Sequence, residues 1–521
     1  MLKTLKNTFI FFALLIISKN ISAQHILHQP VVGAVTDHSA KILFFSDTMI
    51  AYSITLHCSE GVMHIEHYTE DATFFCNTIL LNQLIPNTQY FYTINVRKDS
   101  TTYSGSFKTF ASMNDSQKFS FVFGSCTEQS QDFDIFKTMG KDKPDFFIHL
   151  GDWLYNKFNT STNLSDQITL KNLREKYIER FHFLGDFLKN TPVDYIFDDE
   201  DGIYDDFSAT SYNVIHYEKK YITLDEIPYP DSLKTILKQG LTDFFPSYDE
   251  VNSNQSYHQF SYGNADFFVI DNRSTRSANS EIFTTTPKGK LKYNNPKNHE
   301  LLDSVQLNWL LNGLKNSTAQ WKFIVSGVTF NKSYKKVFNI AMRLQNRKIP
   351  NYKNGGYIAA SLASMWFAYP NTQKKLIDFC RKNQLKNIIF LSGDAHSSAI
   401  DDGKNAGFPE LMAAGLAQKN SKIAGIIYNN FKLNLWNKGG QGIHNQNYNH
   451  AYGKVTVNYN NSVLLEVVDD QGKVIASHQV EDNFIPKQYK LKKQIKINKF
   501  YTFGKKIRIG FHQLLGKNKI K

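Results

Sequence analysis

Six apolar runs in this 521-residue chain each end in a short polar word. In order these are GSC (124–126), GDWLY (151–155), DDED (198–201), DNRSTR (271–276), SG (326–327) and GDAH (393–396). Together they carry a thiol at Cys126, a phenol at Tyr155, an imidazole at His396, carboxylates at Asp152, Asp198, Asp199, Glu200, Asp201, Asp271 and Asp394, and guanidiniums at Arg273 and Arg276. Sulfur, nitrogen and oxygen donors in that mixture suit a borderline or hard metal ion. Two ions about 3.5–4 Å apart can clamp the attacking and leaving oxygens of a phosphoryl displacement and lower the pKa of a bridging water. A ligand shared between them must be a carboxylate with both oxygens free. Asp152 suits that place, since Gly151 before it lets the backbone turn sharply. Plainer roles stand beside these: Cys126 as a small buried residue, Tyr155 packed at a rim, Arg273 and Arg276 as structural ion pairs, and Trp366 as packing.

The third word lies in YIFDDEDGIYDDF (195–207), which holds six carboxylates within nine positions. A calcium loop of the EF-hand type places glycine at its sixth position. With Gly202 there, the first position is Phe197 and the twelfth is Ser208, and both fail as ligands. The apolar YIF in front reads instead as the end of a core strand, which leaves the acidic run as a solvated turn or as the lip of a strand that holds metal.

Strands must hold these words in place. FSFVFGS, DFFIHLGD, VDYIFDD, ADFFVIDNR, WKFIVSG and NIIFLSGD lack clean alternation, as strands buried on both faces do, and helix-like stretches such as LKNLREKYIERFHFL separate them. A layered α/β domain follows, with ligands expected beyond the carboxyl ends of its strands. Before it, residues 26–110 show short alternating runs between turn residues, the pattern of an antiparallel β-sandwich. ASMNDSQ (111–117) reads as the linker between the two.

Taken in order, FVFGSCTEQ, PDFFIHLGDWLY, PVDYIFDDED, FSYGNADFFVIDNRSTR, WKFIVSG, SMWFAYPNTQKKLIDF and IIFLSGDAHSS resemble the successive motifs of the alkaline phosphatase D family of metallophosphoesterases, relatives of the purple acid phosphatases. The resemblance covers roughly residues 30–480. It implies a calcineurin-like α/β/β/α sandwich preceded by a fibronectin type III-like β-sandwich, and a centre of Fe3+ and Ca2+, other divalent metals being open. The activity implied is hydrolysis of phosphomonoesters, phosphodiesters or both by a metal-activated hydroxide. Carried over by position, Cys126, Asp152, Tyr155, Asp199, Asp394 and His396 are the expected metal ligands, with Asp152 shared. Asp152, Asp199, Glu200, Arg273 and Arg276 are the expected catalytic residues, the arginines orienting loops or meeting phosphate, which guanidinium binds in bidentate fashion.

One departure matters. The family writes Trp-Asp-Asp-His-Asp where this chain has Phe197-Asp198-Asp199-Glu200-Asp201, so Glu200 replaces the histidine expected to donate a proton or contact phosphate. An ordinary Glu titrates near 4.3 and a His near 6.5, so an unshifted Glu200 is ionised at neutral pH. The alternative function is therefore a secreted binding protein that keeps the metals and has lost or weakened catalysis. Two further departures are Asn272 in place of threonine, and Ser364-Met365 where an acidic residue often precedes the tryptophan.

The ends of the chain have their own character. Lys3 and Lys6, the apolar FIFFALLII and the small residues up to Ala23 form a secretory signal peptide over 1–23, too short to span a bilayer. The expected location is the periplasm, outer surface or exterior. The remaining expected boundaries are 24–112 for the sandwich, 113–483 for the catalytic domain and 484–521 for a basic tail. The net charge of +13 suggests nucleic acid until it is located: twelve cations lie in Lys487–Lys521 and three more at Lys3, Lys6 and Lys19, leaving about −2 for the rest. No specific nucleic-acid partner is expected. The tail interleaves lysines with Ile, Phe and Tyr and suits an anionic membrane surface or polyanion, each cation contributing about 1 kcal/mol near such a bilayer. The expected partner at the site is a phosphate ester, and a monomer is expected. Cys58 and Cys76 are candidates for a disulfide after export, and Cys380 reads as core.

Overall fold

The structure, a computed structural model, describes residues 25–486 apart from 72, 98–99, 129–133, 156–168, 203–205, 218–221, 253–254, 288–290, 295, 349–356, 419–420, 422–427, 430–431, 442, 444–449 and 460. The expected signal peptide and all but the first three residues of the basic tail lie outside this range.

Seven strands open the chain: β1 (Val31–Gly33), β2 (Ala40–Phe45), β3 (Ala51–Cys58), β4 (Gly61–Tyr68), β5 (Cys76–Leu81), β6 (Gln89–Val96) and β7 (Thr102–Lys108). They form two facing sheets, β1-β2-β5 and β4-β3-β6-β7. Alternation dictates this: Tyr52, Ile54 and Leu56 on β3 and Tyr90, Tyr92, Ile94 and Val96 on β6 turn inward while the residues between face out. The Ile85 N–H donates to the Tyr90 hydroxyl at 2.9 Å, fixing the turn that leads into β6. Cys58 and Cys76 are both free, and the expected disulfide does not form. Cys76 pairs with Phe45 at one end of the sandwich, whereas Cys58 closes the eight-residue β3 at the other. That separation exceeds by far the about 4.4–6.8 Å between Cα atoms that a disulfide tolerates.

The second part runs β8 (Phe119–Gly124), α1 (Asp134–Lys141), β9 (Phe146–His149), α2 (Leu170–Leu188), β10 (Val193–Tyr195), the hairpin β11 (Ser211–Tyr217) and β12 (Ile222–Pro228), and α3 (Asp231–Phe244). It continues through β13 (His258–Tyr262), β14 (Ala265–Val269), the small hairpin β15 (Phe283–Thr285) and β16 (Leu291–Tyr293), α4 (Ser304–Asn316), β17 (Trp321–Ser326), α5 (Tyr334–Lys348), α6 (Tyr357–Leu362) and α7 (Pro370–Lys382). It ends with β18 (Ile388–Ser392), β19 (Ser398–Asp402), β20 (Pro409–Ala413), β21 (Ala451–Asn458), β22 (Ser462–Asp469) and β23 (Val474–Glu481).

Two sheets face each other. One is ordered β13-β14-β17-β18-β20-β19, and the other has nine strands in the order β23-β22-β21-β8-β9-β10-β1-β2-β5. The nine-stranded sheet thus absorbs β1, β2 and β5 of the sandwich, through parallel pairing of Gly33 with Val193 on β10. A Cβ at Gly33 would run into the carbonyl oxygens of Pro246 and Val193, so only glycine permits that approach. Phe121, Phe146, Phe260, Phe267 and Phe323 fill the space between the sheets with ring centroids 4.6–5.7 Å apart. Helices α1, α2 and α3 cover one outer face, and α4, α5 and α7 the other. The result is the expected α/β/β/α layering, with the sandwich in front. The residues expected to be a linker are hydrogen-bonded to the β13–β14 turn: Gly263 N–H donates to Ala111 at 3.1 Å, and Asn114 N–H to Gly263 at 2.9 Å.

Candidate metal centre

All six polar words follow strands, β8, β9, β10, β14, β17 and β18, and the strands carrying them run parallel within each sheet. The word ends therefore meet at one edge of the two-sheet core. Three of them turn out of their strands sharply: Cys126, Asp152, Tyr155, Asp394 and His396 all adopt positive φ, from 39° to 67°. Left-handed backbone costs a non-glycine residue on the order of 1–3 kcal/mol and clusters at functional sites. Gly151, with φ of 92°, lies so close to Asp198 that any Cβ would strike that side chain.

Asp152 is the junction. Its Oδ2 accepts from the Cys126 thiol at 3.3 Å and the Tyr155 hydroxyl at 3.2 Å, while its Oδ1 accepts the Glu200 N–H at 3.3 Å. The Tyr155 hydroxyl is also 3.4 Å from His396 Nε2. Two groups of potential ligand atoms, each within 4.8 Å, share this aspartate: Cys126, Asp152 and His396, and Asp152, Asp198 and Asp199.

Arg273 faces this anionic cluster from the opposite sheet. Fully buried, it pairs through Nε with Asp198, through Nη2 with Asp199 at 3.2 Å and Asp394 at 3.7 Å, and through Nη1 with Asp206 at 3.7 Å. Arg276, also fully buried, reaches Asp206 at 3.8 Å. Asp271 tethers the loop that carries both arginines by accepting the N–H groups of Ser256, Arg273 and Ser274 at 2.9–3.0 Å. Asn272 holds that loop to the next strand end, its Oδ1 accepting the Gly327 N–H at 2.8 Å and the Ser326 hydroxyl at 3.0 Å. Trp366 packs behind, fully buried, with its indole N–H donating to Ser326 at 3.1 Å.

Burial dominates the titration of the site. It pushes the Cys126 thiol and the Tyr155 phenol well above their ordinary values, with Asp152 adding to both. Burial and then Asp199 and Asp198 raise the Asp152 carboxyl far above the usual carboxylate range, and burial and Asp199 raise Asp394 to about 7. Burial also acts to raise Asp199, but Arg273 and the Asp206 N–H at 2.7 Å override it and leave that carboxyl below its ordinary value. Burial lowers His396. One arginine at the cluster cannot offset this many crowded acids. The buried Asp198 Oδ2 accepts no hydrogen bond, and Asp199 Oδ1 has the ion pair with Arg273 Nη2 at 3.2 Å but no hydrogen bond. A thiol, a phenol, an imidazole and crowded buried carboxylates around one shared aspartate, one of their oxygens without a partner, fit one or more metal cations.

The sequence-derived site residues therefore converge, with differences of detail. Asp394 faces Arg273 and belongs to neither tight ligand group. Arg276 stands behind Asp206, away from the ligands. Sequence reading missed Asp198 and Asp206 as partners of the arginines, and Asp201 as an anchor. Their only signal was the crowding in YIFDDEDGIYDDF.

Residues 121–482 match the model of the PhoD-like phosphatases. The chain belongs to the PhoD-like phosphatase family. A relative, alkaline phosphatase D of Bacillus subtilis (strain 168), is 25% identical over 296 residues, which cover 53% of this chain and 46% of that protein. The match thus spans about half of that relative's length. The fold is that of a solved structure described as PhoD, with a TM-score of 0.65, 17% identity and coverage of 95% of this chain and 100% of that one. The purple acid phosphatase PPD1 from yellow lupin seeds shares it at a TM-score of 0.54 and 13% identity, over 87% of this chain and 74% of that one.

Proposed function

We propose that this PhoD-like chain is an exported, metal-dependent phosphoesterase acting on phosphomonoesters, phosphodiesters or both. The observation that carries the reading is the sharing of Asp152 between two groups of ligand atoms. Cys126, Tyr155 and His396 with Asp152 would hold a ferric ion, whose affinity for thiolate and phenolate suits them. Asp199 and Asp152, with Asp394 nearby, would hold a calcium ion through oxygen. Such ions, when bound, lower the pKa of water and neutralise charge on the ester.

The remaining work falls to the chain. Arg273 orients Asp198, Asp199 and Asp394, and Arg276 supports it through Asp206; their complete burial favours this role over direct contact with substrate. Glu200, half-buried in the turn Glu200–Gly202 beside Asp152, is the group at the family's histidine position that would hold a proton for the leaving oxygen. The lysine-rich tail would seat the exported monomer on an anionic surface or polyanion.

The test is metal analysis of protein purified from its exported location, with turnover of aryl phosphate mono- and diesters by wild type and His396→Ala. The expected result is bound iron and calcium, turnover by wild type, and loss of both iron and turnover in the variant. Metal retained without turnover of any ester would favour the secreted binding protein instead.

A further inference from the structure

Asp201 is not among the expected metal ligands, yet it anchors the backbone of the shared ligand Asp152 and of its neighbours. Fully buried, its Oδ2 accepts the N–H groups of Asp152 at 2.8 Å and Asp198 at 3.1 Å. Its Oδ1 accepts those of Trp153 at 2.7 Å and Leu154 at 2.8 Å. Four donors occupy the roughly four lone-pair positions a carboxylate offers, so Asp201 has none left for a cation. The turn it gathers is the one with Asp152 at φ of 60° and Tyr155 at φ of 39°, conformations that persist only where surrounding contacts enforce them. Asp201 itself is fixed by the turn in which Gly202 N–H donates back to Asp198 and Asp199. One side chain thereby ties the loop after β9 to the loop after β10.

We propose that Asp201 is a positioning residue for the whole metal centre: by holding Asp152, which both ligand groups share, and Asp198 at fixed places, it sets the affinity for both ions at once. The inference rests on the metal-dependent reading above. It differs in kind from the role of a ligand, whose loss weakens the ion it contacts.

Asp201→Asn is close to isosteric and decides the matter, because the amide keeps one acceptor oxygen and turns a donor toward two N–H groups. Asp401→Asn is the control: Asp401 likewise collects N–H groups, from Gly403, Asn405 and Ala406 at 2.9–3.2 Å, but in the turn after β19. The full chain, stripped with chelator, is titrated with Mn2+ and free ion is read by electron paramagnetic resonance, with thermal unfolding measured in parallel. Second-layer partners of metal ligands typically alter affinity 10–100-fold. The expected result is that Asp201→Asn weakens both Mn2+ equivalents at least about 10-fold, that Asp401→Asn lowers the melting temperature to a similar degree without weakening either, and that His396→Ala weakens one. Wild-type affinity in Asp201→Asn, equal loss in Asp401→Asn, or failure of Asp201→Asn alone to fold overturns the positioning role. If His396→Ala binds Mn2+ as wild type does, the metal reading itself falls and takes this inference with it.

Discussion

Glu200 stands where the resemblance places a histidine, and its consequence depends on the leaving group. A positioned general acid typically contributes about 10²–10⁴-fold, but only where the leaving oxygen needs a proton. Glu200→Ala is therefore expected to slow alkyl phosphate hydrolysis about 100-fold and leave p-nitrophenyl phosphate nearly unchanged. Glu200→His should extend alkyl ester turnover toward higher pH, since an ordinary imidazole keeps its proton to a higher pH than an ordinary carboxyl. Equal effects on both substrate classes would remove the donor role. Arg273 is the second residue whose surroundings make a quantitative demand. Deleting one partner of a buried ionic network costs about 3–5 kcal/mol, because the remaining charges are left uncompensated. Arg273→Met is expected to lose about that much stability in chelator and markedly less with metal present, as cations take over the charge it balanced. Chemical denaturation with and without metal measures the difference, and identical losses would show that Arg273 and the ions do not share those carboxylates.

At the scale of elements, the strands that carry the site were legible and their pairing across the molecule was not. Buried parallel strands are written as near-continuous apolar runs, so β8, β9, β10, β14, β17 and β18 and the words that end them stand out in one dimension. The partnership of Arg273 with Asp198 spans 75 positions and two sheets, and it follows from how the sheets face each other, which no local pattern encodes. The same holds for the pair that crosses between the sheets, Asp194 on β10 and His258 on β13. His258 Nε2 lies 3.0 and 3.1 Å from the two Asp194 oxygens, and its Nδ1 is 3.0 Å from the Ser256 carbonyl, so both ring nitrogens face acceptors, an arrangement that favours the protonated ring. Burial opposes that charge, but Asp194, the Ser256 carbonyl and Glu250 outweigh it and raise the pKa, while Tyr248 stacks on the ring at 5.6 Å. A raised folded-state pKa contributes stability that is fully present below the unfolded value near 6.5 and is lost as pH rises through the folded value. Asp194→Asn is thus expected to cost about 3 kcal/mol at pH 6 and progressively less toward pH 9. Denaturant midpoints across that range test it, and a pH-independent cost would show that the ring is neutral.

For the whole molecule, the two architectural units were readable from composition and rhythm, but their fusion was not. Alternating runs before residue 110 and continuous runs after 119 suggest two modules joined by the polar ASMNDSQ. In the folded chain, β1, β2 and β5 extend the central sheet, and one continuous apolar cluster includes Ile54 and Tyr92 of the sandwich with Phe121, Phe267 and Phe323 of the layered core. Phe110, just before the expected boundary, lies 5.3 Å from Phe146 and 4.6 Å from Tyr262, ring to ring. Tyr92 adds a hydroxyl bond to the Lys189 carbonyl at the end of α2, 3.0 Å long. A chain begun at residue 113 would leave the edge of β10 unpaired and strip apolar partners from the face of the core, conditions that favour edge-to-edge association. Such a truncation is expected to aggregate, and the intact chain to lose sandwich and catalytic-core structure in one transition. Hydrogen exchange during denaturant unfolding distinguishes the outcomes: protection lost together on β6 and β9 supports the fused architecture, whereas early loss on β6 with β9 still protected would show that the sandwich is an independent module.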